Sequence, residues 1–349
     1  MSTPANEVRT PIEFLGVAGS PYTRKMRAVL RYRRLPYRMI SGDQRDMASR
    51  PQPKVRLLPT FYLPDESGEI VAVTDSTPLI RRFEDEYSGR SVLPPDPVVR
   101  FLDYLLEDYG DEWLTKCMFH VRWAHQENID KAGRILPFYS KVNLTDAEVA
   151  PFTEHITKLQ VSRIYVVGSN ETTAPIIEAS YDRFLEKFDA HLQMQPFLLG
   201  VRPAASDFGC FGQLTQLALF DTTTVRVTLE KAPRVYAWTE VTEDLGGLEV
   251  ADEDWTTRDS VGDTLRELLA EVGRVYAPFL LGNAAAVASG AEQVECTVDG
   301  EKWVQPPFPY QAKCLQWIRD ERAALSVDDR VDVDRLLAGS GCEALFADG

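Results

Sequence analysis

Cysteine is sparse in this chain: Cys117, Cys210, Cys296, Cys314 and Cys342 are the only five in 349 residues, with no CxxC and no paired spacing. That argues against a disulfide framework and a zinc knuckle, and it fits a reducing cytoplasm. Histidine is scarcer still, at four. His120 and His125 are five apart and would not share a face of one helix, so no metal site is expected. No window approaches the roughly 18 apolar residues of a membrane span. The opening MSTPANEVRTPIEFLG has no basic region followed by an apolar run. Basic charge is in deficit, 38 Lys+Arg against 53 Asp+Glu for a net −15. Such a chain offers no footprint for nucleic acid and would be repelled by anionic membranes. A cytoplasmic protein with neither as partner is expected.

What is present is an ordinary globular composition, 44% hydrophobic and 26% charged, over a length suited to two domains. Residues 12–17 form a short apolar run, followed by a helical pattern over 21–33 in which Met26, Val29 and Leu30 recur at helical spacing. Further strands are expected at 36–40, 60–63 and 70–73, with Asp65-Glu66-Ser67-Gly68 as a turn, and a closing helix over 77–87. That order belongs to a small α/β domain on one sheet. SVLPPDP, residues 91–97, has three prolines in seven and marks a linker.

Helices are expected after it at 98–128, 178–192, 204–220 and 232–244, with an irregular insertion near 131–173 rich in Asn, Thr, Gly and Pro. Residues 246–349 form a further segment with helices at 264–276 and 310–325 and a short acidic helix ending near 337. VECTVDGEKWV is a hairpin candidate there, because Asp299-Gly300 is a type I′ turn signal. PFLLG and RVYA each occur twice, but out of register with one another, which argues against an internal repeat.

Three features of the first domain belong together. In GSPYTRKMRAVLRY, residues 19–32, Ser20 and Pro21 open a helix whose free N–H groups stabilise an anion. Leu58-Pro59-Thr60 puts a proline just before a strand, leaving backbone groups of Leu58 for an extended peptide ligand. Thr74-Asp75-Ser76-Thr77-Pro78 is a helix start that offers N–H groups to a carboxylate and Asp75 to an ammonium. Each has a plainer role as a cap or an edge proline; it is their order that points to a site.

That order resembles the thioredoxin-fold domain of the glutathione transferases, followed by their all-helical second domain. SPYTRKMR is similar to the serine-type motif of the zeta and tau classes, LLPTF to the segment carrying the family's cis-proline, here Pro59, and TDSTPLI to the pair that holds the γ-glutamyl end of glutathione, here Asp75 and Ser76. FLLGVRPAASDFGCFGQL resembles the segment with the family's structural Asp, here Asp207, although Ala204 stands where a capping hydroxyl is usual. The likeness spans residues 10–245 and leaves 246–349 unmatched.

The resemblance implies a thioredoxin-like glutathione-binding domain over 10–90, an all-helical domain over 98–245 and an extension over 246–349. It also implies glutathione as cosubstrate, no metal, a small hydrophobic electrophile and a homodimer. Ser20 would activate the glutathione thiol, with Thr23 as second choice because the competing Tyr22 hydroxyl is expected to turn away, and Leu58, Pro59, Asp75 and Ser76 would bind the peptide. Tyr22, Trp113, Cys117 and Phe119 are candidates for the electrophile pocket; Trp113 and Cys117, with Tyr109, line up at helical spacing. Arg56 is a candidate for the glycyl carboxylate, and Lys25 and Arg27 read as solvated or interdomain charges. The alternative to an enzyme is a binding or scaffold protein that keeps the fold.

Overall fold

A computed structural model describes residues 10–41 and 47–347. The first domain runs β1 (Ile12–Leu15), α1 (Pro21–Tyr32), β2 (Tyr37–Ile40), β3 (Thr60–Pro64), β4 (Ile70–Val73) and α2 (Ser76–Glu86). Its sheet has the order β2-β1-β3-β4, with β1 parallel to β2 and the other pairs antiparallel. Phe14 stands opposite Phe61, and Phe61 opposite Val73, so one apolar face packs under α1 and α2. This is the thioredoxin-like arrangement, and each expected strand and helix lies within a residue or two of its place.

Local chemistry sets the ends. Ser20 caps α1 by accepting from the Thr23 N–H at 3.2 Å, with Pro21 in the first turn. At the β3–β4 turn, Asp65 Oδ1 accepts from the N–H groups of Ser67 (2.9 Å) and Glu69 (3.0 Å), and Gly68 supplies the left-handed residue at φ 84°.

The linker leads into α3 (Pro97–Glu112), α4 (Leu114–Ala124), α5 (Gln126–Ile135), α6 (Asp146–Val161), α7 (Ala174–Leu192), α8 (Ala205–Leu217), α9 (Thr222–Lys231) and α10 (Pro233–Thr242). The single helix expected over 98–128 is divided. At His125 the backbone turns extended, φ −101° and ψ 123°, and the freed Val121 carbonyl accepts instead from Asn128 Nδ2 at 2.9 Å. The segment 131–173 is mostly helical rather than irregular. Thr145 and Glu148 close a reciprocal cap on α6, a T-x-x-E signature that outweighs the loop-like composition around it.

Helix α8 is buried along its whole length and crosses α3 and α1 closely. A Cβ on Gly212 would sit 2.8 Å from the Pro21 carbonyl, so only glycine lets α8 approach the start of α1 this closely. Asp207 accepts from the N–H groups of Leu198 and Ala204, both at 2.9 Å. The hydroxyl missing at Ala204 is compensated from another helix: Asp103 of α3 accepts the Ser206 N–H at 2.8 Å.

The extension continues as α11 (Asp263–Glu271), a π-turn over Val272–Tyr276, α12 (Ala277–Ser289), β5 (Val294–Val298), β6 (Glu301–Gln305), α13 (Pro309–Ala324) and α14 (Val327–Leu337). The hairpin turns at Asp299 (φ 55°) and Gly300 (φ 78°), as its dipeptide predicts. The second PFLLG is inside α12 while the first is a turn, so the two are not copies of one unit. The extension shares one core with the helical domain. The Trp113 ring lies 5.4 Å from that of Trp303, 6.0 Å from Phe279 and 6.4 Å from Tyr276.

Candidate functional site

The start of α1 and the Leu58–Pro59 bond, which is cis, come together at the edge of the sheet. Ser20 Oγ donates to the Leu58 carbonyl at 3.2 Å. That carbonyl, expected to be free for a ligand, therefore has a partner. The loop before it carries exposed Val55, Arg56 and Leu57. Between the two candidate hydroxyls the contrast is plain. Ser20 is half-buried, whereas Thr23 is fully buried, its Oγ without a hydrogen-bond partner and its methyl against Gly16.

Asp75 opens α2 in a left-handed conformation, φ 84° and ψ 114°, and its Oδ2 accepts from the Tyr310 hydroxyl at 2.8 Å. Tyr310 belongs to the extension and is 235 residues away, beyond the reach of any local pattern. Ser76 is buried and accepts from Lys25 Nζ at 3.1 Å.

Lys25 was expected among the solvated or interdomain charges; it is interdomain and fully buried. Its ammonium also donates to Glu107 Oε1 at 2.7 Å and Asp111 Oδ2 at 2.5 Å on α3, while Arg81 of α2 pairs with the other Glu107 oxygen. Burial opposes the charge on Lys25, but Asp111 and Glu107 outweigh it and hold the ammonium above its ordinary range. Burial pushes Asp111 up to about 6 despite Lys25. Arg24, Arg27 and Arg31 all converge on Glu243 at the end of α10, so the basic run of α1 is spent on domain contacts.

The four pocket candidates divide. Tyr22 donates from its hydroxyl to the Asp111 carbonyl at 2.7 Å and lies 2.8 Å from Thr115 Oγ, so it turns from the loop toward the α3–α4 junction. Burial, with Glu112 and Asp111 nearby, holds its phenol protonated, well above the ordinary range. Trp113 and Cys117 are fully buried in the core, where the extension covers the stripe that resembled a pocket wall. Burial pushes the Cys117 thiol up to about 12. Phe119 joins a smaller apolar cluster with Trp123, Phe220, Leu136 and Tyr139.

Leu136 and Tyr139 are the neighbours that the sequence reading missed. A Cβ on Gly19 would lie 2.5 Å from Leu136 Cδ2 and 3.0 Å from Tyr139 Cδ2. The segment after α5 thus walls the Ser20 loop, and Phe119 belongs to the cluster behind that wall.

Residues 14–91 match the family model described as glutathione S-transferase, N-terminal domain. No curated protein matches the chain. Among solved structures it is similar to a glutathione S-transferase from Methylobacterium radiotolerans in complex with glutathione sulfonate, at 18% identity and a TM-score of 0.39 over 71% of this chain and 96% of that one. A tau-class glutathione S-transferase from mango gives 16% and 0.41, over 74% and 95%. A glutathione transferase family member from Pseudomonas fluorescens with two glutathione bound gives 16% and 0.38, over 68% and 90%.

Proposed function

We propose that the chain, whose residues 14–91 match the glutathione S-transferase N-terminal domain, belongs to the glutathione transferase superfamily, binds glutathione beside Ser20 and activates the thiol for attack on a small hydrophobic electrophile. The observation that carries this reading is the pairing of Ser20 at the start of α1 with the Leu58–Pro59 bond, half-exposed and next to an exposed loop.

A free thiol near pKa 8.5 is only about 3% thiolate at pH 7. Lowering that value by about 2 units requires roughly 2.7 kcal/mol of preference for the anion. A hydroxyl donating to a charged acceptor contributes about 1.5 to 3 kcal/mol, and a helix N-terminus about 0.3 to 2. Ser20 would turn its hydrogen from the Leu58 carbonyl to the sulfur and keep its proton. The Leu58 backbone would then pair with the cysteinyl peptide, Asp75 with the γ-glutamyl ammonium, and the first turn of α2 at Ser76 with its carboxylate. Arg56, on the exposed loop, suits the glycyl carboxylate. Leu136 and Tyr139, backed by Phe119, supply the apolar surface for the electrophile. Conjugation, isomerisation and thiolytic cleavage all use the same thiolate.

A cytoplasmic homodimer is part of the proposal, resting on the family likeness and on five unpaired cysteines. No helix among the described residues is long and apolar enough to cross a membrane. One observation favours a second reading, a glutathione transferase-like scaffold: Asp75 already accepts the Tyr310 hydroxyl.

Calorimetric titration with glutathione, followed by turnover of an activated aryl halide, separates the two. Binding with turnover supports the enzyme, binding without turnover of any thiol-reactive electrophile supports the scaffold, and absence of binding defeats both.

A further inference from the structure

Outside the residues assigned to glutathione, three side chains from separate elements converge. His120 lies on α4, His125 at the break between α4 and α5, and Glu178 on α7. Glu178 Oε1 is 3.2 Å from His120 Nε2 and 3.0 Å from His125 Nε2, and the three candidate ligand atoms all lie within 4.8 Å of one another. The imidazole rings stand nearly perpendicular, at 79° with centroids 5.7 Å apart. His120 Nδ1 is held by Ser169 Oγ at 2.7 Å.

The spacing that argued against a shared helix face does not apply, because the chain leaves the helix at His125. That break swings the second imidazole back beside the first. Zinc binds imidazole nitrogen at about 2.0–2.1 Å and carboxylate oxygen at about 2.0–2.2 Å, so a tetrahedral centre sets its donors roughly 3.4 Å apart. The two carboxylate–imidazole separations need to open by only a few tenths of an ångström, and the two imidazole nitrogens already lie within 4.8 Å of each other. Two nitrogen donors select against calcium and magnesium. The Ser169 contact is the kind of outer partner that fixes the orientation of a liganding imidazole. His125 is 39% and Glu178 49% exposed in the side chain, which leaves a solvent-facing side for a water ligand.

We propose that His120, His125 and Glu178 form a mononuclear site for a divalent transition metal of the zinc type, joining the α4–α5 break to α7. A metal there would add a link between α4 and α7 to the contacts that Cys117 makes with Ile177 and Ser180.

The test uses the full chain, stripped with a chelator and titrated with Zn²⁺ by calorimetry and with Co²⁺ by visible absorption. A Cys296→Ser background removes a half-buried thiol as a competing ligand. The expected result is one equivalent bound without a thiolate charge-transfer band, and a melting temperature raised by metal. His125→Ala and Glu178→Gln alter half-exposed side chains, and each should lower affinity at least tenfold and abolish the thermal shift. Ser169→Ala should lower affinity by roughly tenfold or more while leaving the stoichiometry at one. Binding well below one equivalent at saturating metal, or full affinity retained in either ligand variant, overturns the proposal.

Discussion

Replacing Lys25 with methionine removes a buried charge that joins the first domain to α3 while keeping most of the side chain's volume. Lys25 and Glu107 have fully buried side chains, and Asp111 is 5% exposed. Removing one partner of a buried pair typically costs about 3–5 kcal/mol, because the other charge is stranded. Arg81 still neutralises Glu107, so the stranded group is chiefly Asp111 and the lower end, about 3 kcal/mol, is expected. That is a factor of about 150 in the folded-to-unfolded ratio. Asp111 sits near 6 even with Lys25 present, and without it the carboxyl holds a proton to higher pH. The folded variant then binds a proton that the unfolded chain, near 3.9, does not hold at pH 5–7. Its stability therefore falls as pH rises, by up to about 1.4 kcal/mol per unit, and the deficit is larger at pH 7 than at pH 5. Urea unfolding at the two pH values measures both terms. A cost below about 0.5 kcal/mol at pH 7, or a deficit that grows toward pH 5, would refute the reasoning.

Three further outcomes are expected. Asp75→Asn keeps the shape but removes the carboxylate charge, and should weaken glutathione binding roughly 10- to 100-fold by calorimetry, the scale of one charge-assisted hydrogen bond; an unchanged Kd would remove Asp75 from the site. Trp303→Ala empties a buried position between the extension and α4, and should cost about 3–5 kcal/mol in urea unfolding. A cost near zero would mean that residues 246–349 are an appendage. Burial raises Asp103 and Asp108 to about 7 and Glu112 and Asp207 to about 8, so the folded chain holds protons that the unfolded chain has released above about pH 5. The melting temperature should fall from pH 5.5 to pH 9, and a profile that rises over that range contradicts this.

The first domain was legible because its elements are made by neighbours: Ser20 caps its own helix, the Asp65 turn closes its own hairpin, and strand alternation sets the face that meets α1. The helical region was less so, because its decisive contacts are distant. The stripe of Trp113 and Cys117 has the spacing of a pocket wall, and only Trp303, Phe279 and Tyr276, more than 150 residues away, make it core. Tyr310 reaching Asp75, and Leu136 and Tyr139 packing on Gly19, leave no trace in the site's own motifs. Helix α6 was a different case: Thr145 and Glu148 carried a readable start signal within a polar stretch. The two histidines come together because the helix breaks at His125, which spacing along an unbroken helix does not show.

The most direct measurement of the central claim is the pKa of the glutathione thiol when bound, read from thiolate absorbance across pH in the wild type and in Ser20→Ala. The account predicts a bound thiol roughly 2 units below the free value of about 8.5, and a return upward by about 1 to 2 units in the variant with glutathione still bound, the scale of one hydroxyl donor. A wild-type value at the free level, or a lowered value that Ser20→Ala leaves in place, would contradict it.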